Sequence, residues 1–103
     1  MRLRYSFRFQ QIGDTWLGSA VGQNAHLFNG VLQLNEVGHF IVSKLIALEY
    51  PDNLENPEKL ESSAAIITYL TDQLTKEYAV DTATAQSAVI SVLDYLKAEQ
   101  VLE

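Results

Sequence analysis

The first ten residues alternate. Leu3, Tyr5, Phe7 and Phe9 are apolar, while Arg2, Arg4, Ser6, Arg8 and Gln10 are polar. Successive side chains of a strand point to opposite faces, so this period of two predicts a strand over 2–10 with one buried face and one wet, basic face. Gly13-Asp14 predicts a turn, and Thr15 to Val21 a second strand. After a loop at Gly22-Gln23-Asn24, the stretch from Ala25 to Leu34 contains a third strand, interrupted by Asn29-Gly30. Asn-Gly between apolar residues is a strong type I′ hairpin signal. It predicts either a tight turn joining Leu27-Phe28 to Val31-Leu32 or a bulge in one longer strand.

The period changes at Asn35. Beyond it Val37, Phe40, Ile41, Leu45, Ile46 and Leu48 recur at three- and four-residue steps, which predicts a helix from Glu36 to about Glu49. The Asn35 side chain suits the N-cap, and Glu36 places a negative charge in the first turn, where the helix dipole favours it. Pro51 stops this helix. Tyr50 to Glu61 holds two prolines, two asparagines and four acids, the composition of a surface loop. Ser62 or Ser63 is suited to cap a second helix carrying Ile66, Ile67, Leu70, Leu74 and Tyr78 on one face. Asp81 caps a third, with Ala85, Val89, Val92, Leu93 and Leu96 as its stripe, and Val101-Leu102 closes the chain as an apolar plug. Three strands followed by three helices predict an α+β domain, with Leu3, Tyr5, Phe7 and Phe9 packed on a tri-helical layer.

With 103 residues, 48% hydrophobic, the chain has apolar mass for one core, so residues 1–103 are expected to form a single domain. It contains no cysteine, which removes disulfides, thiolate metal sites and cysteine catalysis, and fits a reducing, cytoplasmic location. The alternating N-terminus lacks the apolar core of a secretory signal, and no apolar run approaches the roughly 18 residues of a membrane span. Net charge is −6, and beyond Arg2, Arg4 and Arg8 the basic residues are dispersed. Nucleic-acid binding draws much of its affinity from phosphate neutralisation, so this balance argues against it.

Catalytic groupings are sparse. His26 and His39 have no metal-ligand spacing, Ser19 lacks a nucleophile elbow, and Glu55, Glu58 and Glu61 fall in the acidic loop. Gly13, Gly18 and Gly22 are too spread to cradle a phosphate. These features predict a chain that is not an enzyme and carries no cofactor. A binding module fits better. A short sheet exposes edges that accept a strand from a partner peptide, and the groove between the third strand and third helix is the natural place. With Ala85, Val89, Leu93 and Leu96 serving the core, Ala88, Ile90, Val92 and Tyr95 are surplus apolar surface on the third helix, available to a partner, to the sheet or to a second copy of the chain.

The run Leu34-Asn35-Glu36, followed by Gly38 and Phe40-Ile41 and preceded by Asn29-Gly30, resembles the core signature of PqqD-like proteins. These are small recognition domains that hold the leader of a ribosomally made precursor peptide for a modifying enzyme. The likeness extends over most of the chain, through Trp16, Phe28-Asn29-Gly30-Val31, Leu70, Leu74, Glu77-Tyr78, Val80-Asp81, the stripe of the third helix and Val101-Leu102. It implies a winged-helix-like α+β fold of three N-terminal antiparallel strands and three helices. It also implies that a leader peptide adds beside the third strand, against the third helix. The implied contacts are Phe28, Val31, Leu32 and Gln33 on the strand, and Ala85, Ala88, Val89 and Val92 on the helix. On this reading proline at Leu32 removes an edge donor and abolishes binding. The implied partner enzyme is a radical S-adenosylmethionine protein, whose cluster cysteines this chain lacks. Ala88 and Ile90 depart from the family, which commonly has charges there, and the Tyr50–Glu61 loop is longer than usual. A winged-helix nucleic-acid-binding regulator and a structural or dimerising subunit stay open as alternatives.

Overall fold

The computed structural model describes residues 3–22, 25–28, 30–49 and 63–102. The expected loop over 50–61 and the choice of Ser62 as cap lie outside these residues.

β1 (Ser6–Ile12) and β2 (Thr15–Val21) form an antiparallel hairpin in which Ile12 faces Thr15. That register leaves Gly13-Asp14 as a two-residue loop. Gly13 takes φ 62°, and Asp14 has no positive φ, the pattern of a type II′ turn, whose twist matches that of the flanking strands. β3 (Leu32–Leu34) pairs antiparallel with β2, giving the sheet order β1-β2-β3.

Two strand expectations are corrected. The first ladder begins at Ser6 rather than residue 2. Leu3 instead bridges to Leu102, and the Arg4 amide donates to the Val101 carbonyl at 2.9 Å, which stitches the start of the described chain to its apolar plug. The third strand has three residues, and Ala25–Leu27 is a single 3₁₀ turn. Neither a Leu27-Phe28 hairpin arm nor one long bulged strand forms, although Gly30 keeps the positive φ (110°) of a turn and Asn29 itself lies outside the described residues. The Phe28 ring instead packs on Tyr5 and Phe7, with centroids 5.4 and 5.6 Å away.

Cross-strand rows set which face is buried. Phe9, Gly18 and Leu32 lie opposite one another on the helix-facing side, and Trp16 pairs with Leu34 in the next row. The Phe9 ring occupies the space over Gly18: a Cβ there falls 2.6 Å from Phe9 Cε1.

α1 (Glu36–Glu49) begins as predicted, with Asn35 Oδ1 accepting from the Gly38 amide at 2.7 Å. α2 (Ser63–Tyr78) buries Ile66, Leu70 and Leu74. α3 (Thr82–Ala98) is capped by Asp81, whose carboxylate accepts from the Thr84 amide and hydroxyl. At its far end the Val101 amide bonds to the Leu96 carbonyl, and that of Gln100, with φ 63°, bonds to the Lys97 carbonyl. This is a Schellman motif built on a residue other than glycine.

Leu32, Ile41, Val42, Leu70, Val89, Leu96 and Val101 are the fully buried centre of the core, and Leu3, Val101 and Leu102 close it. Each large aliphatic side chain so buried contributes about 1.5–3 kcal/mol. Tyr5, Phe7 and Phe9 pack against this core half-buried, as the alternation predicted. The result is the expected α+β architecture, three antiparallel strands followed by three helices. Among the described residues no helix is long and apolar enough to cross a membrane.

Candidate functional site

β3 lies at the edge of the sheet, so among the described residues one side of its backbone has no neighbouring strand. Amide direction alternates along a strand. The Gln33 amide donates to the Tyr95 hydroxyl of α3 at 3.1 Å, so it points away from β2 and toward the open edge. By alternation the Leu32 and Leu34 amides point inward, to β2. The expectation that proline at Leu32 removes an edge donor is therefore corrected: the edge donor within β3 is Gln33.

Tyr95 also fixes how α3 sits. Its hydroxyl reaches the β3 edge, so the flank of α3 carrying Ala88, Val92 and Tyr95 faces that edge, all three half-buried. On the exposed side of α3, Ala83, Thr84, Ser87, Ala88 and Ser91 line an open concavity of about 500 Å³.

The eight contact residues implied by the resemblance divide into three groups. Val31 (47% exposed) and Gln33 are open to solvent, and Ala88 and Val92 flank the edge. Leu32, Ala85 and Val89 are each 0% exposed, so their side chains belong to the core and not to a docking surface. Phe28 is engaged in the aromatic cluster with Tyr5 and Phe7. Ile90 is also reassigned. Five residues at about 100° each place it roughly 140° around the helix from Tyr95, so it does not share the β3 flank. The residue absent from the implied set is Tyr95. Its spacing from Ala88 and Val92 was the available signal, but its role depends on where the hydroxyl lands.

A second cluster lies on the helix-facing side of the sheet. The His39 ring stacks on Trp16 at 3.7 Å and 6°, and meets Phe9 edge-on at 5.0 Å. Burial lowers the His39 pKa by penalising its charged form. The Trp16 Nε1 atom is buried without a hydrogen-bond partner among the described residues. Among those residues, no group of three or more His, Asp or Glu side chains is placed to hold a metal ion.

What the edge offers is backbone recognition. A strand laid beside β3 meets the outward amide of Gln33. Its alternate side chains point either toward Ala88, Val92 and Tyr95 of α3 or toward Val31 and Gln33 on the open face of the sheet.

No protein-family model matches the chain, and no curated protein matches it in sequence. Among solved structures, the chain shares its fold with TbiB1, determined in complex with the TbiA(beta) leader peptide, at 21% identity and a TM-score of 0.59, over 100% of this chain and 95% of that one.

Proposed function

We propose that residues 1–103 form one PqqD-like domain that binds the leader of a ribosomal precursor peptide by strand addition and presents it to a modifying enzyme without performing chemistry itself. The observation that carries this reading is the outward Gln33 amide on an edge strand, beside the flank of α3 that carries Ala88, Val92 and Tyr95. The fold shared with a protein solved with a leader peptide supports it. So does the Leu34-Asn35-Glu36 junction, where Asn35 ends β3 and caps α1 in one residue. Backbone pairing makes affinity tolerant of peptide sequence, and the α3 flank selects for side chains that fit between Ala88, Val92 and Ser91. The contacts this reading favours are Val31 and Gln33 with Ala88 and Val92. A radical S-adenosylmethionine enzyme is the partner this reading favours, and the cytoplasm, where ribosomal precursors are made, is its setting.

The test is capture of the tagged protein from its native cell, with intact-mass analysis of bound peptides. The recovered peptide is then titrated into isotopically labelled protein. Amide shifts confined to 30–34 and 84–95 are expected. A peptide whose footprint lies elsewhere refutes strand addition at β3. Recovery of a second copy of the chain alone favours the dimerising subunit, and recovery of nucleic acid favours the regulator.

A further inference from the structure

The Gln33–Tyr95 bond ties β3 to α3 at the open edge. The Tyr95 hydroxyl oxygen lies 3.1 Å from the Gln33 nitrogen, on the side of β3 away from β2. The carbonyl oxygen of an added strand has to lie about 2.9–3.0 Å from that same nitrogen, along the same N–H direction. The amide has one proton, and two oxygens do not fit in one place. A peptide that pairs with β3 must therefore displace the phenol.

We infer that Tyr95 is a latch on the β3 edge: its hydroxyl stands in for a peptide carbonyl in the free protein and is exchanged for one on binding. This rests on the strand-addition reading above and adds a residue that sets its affinity. The edge within β3 is short, and the next residue toward α1, Asn35, already gives its carbonyl to the His39 amide and its side chain to the Gly38 amide. With so few backbone groups to offer, one occupied donor is a large share of the site. The latch also serves the unbound protein. An edge with unpaired groups is a template for pairing with stray strands, and satisfying the Gln33 donor from within the chain blunts that hazard. Tyr95 is half-buried and anchored on a helix whose neighbouring residues, Leu93 and Leu96, are in the core. The hydroxyl is therefore held at the edge by the fold. Only a ligand whose backbone pairs well enough to replace it gains entry, so the latch discriminates extended peptides from side-chain ligands.

The test is Tyr95→Phe, which keeps the ring and removes the oxygen. In the free variant, hydrogen exchange of the Gln33 amide should accelerate, while the inward Leu32 and Leu34 amides should be unchanged. A displayed library of random 15-residue peptides is then selected on the wild-type protein, and the strongest binder whose footprint includes Gln33 is measured on both proteins. Because the variant has no internal bond to give up, it should bind that peptide about three- to tenfold tighter, the net worth of one exchanged hydrogen bond. Equal or weaker binding by the variant overturns the latch and leaves strand addition standing. Unchanged Gln33 exchange also overturns it. A library that yields no peptide pairing with β3 on either protein overturns strand addition, and the latch with it.

Discussion

Proline substitutions at two adjacent positions of β3 separate the inward from the outward face of its backbone. Leu32 is 0% exposed and its amide points to β2, by alternation from the Gln33–Tyr95 bond. Leu32→Pro removes a ladder donor, strands its acceptor on β2 and takes a fully buried leucine out of the core. Truncating such a leucine costs about 2–5 kcal/mol, and an unsatisfied buried partner adds about 1–3 kcal/mol. The sum, about 3–8 kcal/mol, is comparable with the 5–15 kcal/mol that holds a small domain folded. Gln33→Pro touches neither the β2 ladder nor the core. An edge strand tolerates proline where the amide faces outward, so its cost is chiefly the Tyr95 bond, about 0.5–1.5 kcal/mol. Urea unfolding followed by far-UV circular dichroism should show a folded Gln33→Pro with a small midpoint shift and a Leu32→Pro that is largely unfolded. The folded variant should have lost strand-type peptide binding, because its edge donor is gone. Equal destabilisation by the two prolines, or a milder effect at Leu32, refutes the assigned amide directions and the edge site with them.

Other perturbations have opposite signs. Thr71 is 7% exposed, and its hydroxyl has no partner among the described residues, so the near-isosteric Thr71→Val should stabilise the fold by about 1 kcal/mol in the same urea assay. Gln100 holds φ 63° at the Schellman position of α3, where glycine meets no Cβ penalty, so Gln100→Gly should raise stability by about 0.5–1 kcal/mol, checked by thermal melting. The folded His39 pKa lies below its usual 6.5, so the unfolded chain takes up a proton first as pH falls. Stability contributed by neutral His39 is therefore full above about pH 6.5 and declines as pH drops from there toward the folded pKa. Urea midpoints across pH 5–8 should show this slope, and His39→Phe should flatten it.

Local chemistry accounts for what the sequence determined. Asn35 caps α1 and Asp81 caps α3 because a short polar side chain next to orphan amides needs no distant partner. The stripe Ala85, Val89, Leu93, Leu96 is buried because its 3.6-residue spacing makes one face, whatever that face packs on. Periodicity likewise placed Tyr5, Phe7 and Phe9 against the core. Position relative to the rest of the chain was decided only by the tertiary structure. Leu27 and Phe28 have strand-like composition, yet Leu27 lies in a 3₁₀ turn and the Phe28 ring packs on Tyr5 and Phe7 of another segment. Leu32 and Gln33 are neighbours in a strand, and nothing local says which amide turns to β2 and which to the open edge. Pairing register sets that, and register is a long-range property. Ala88, Ile90, Val92 and Tyr95 looked alike as surplus apolar positions. The packing of α3 beside β3 turned Ala88, Val92 and Tyr95 toward the edge, left Ile90 on another flank, and brought the Tyr95 hydroxyl onto an amide 62 residues away in the chain.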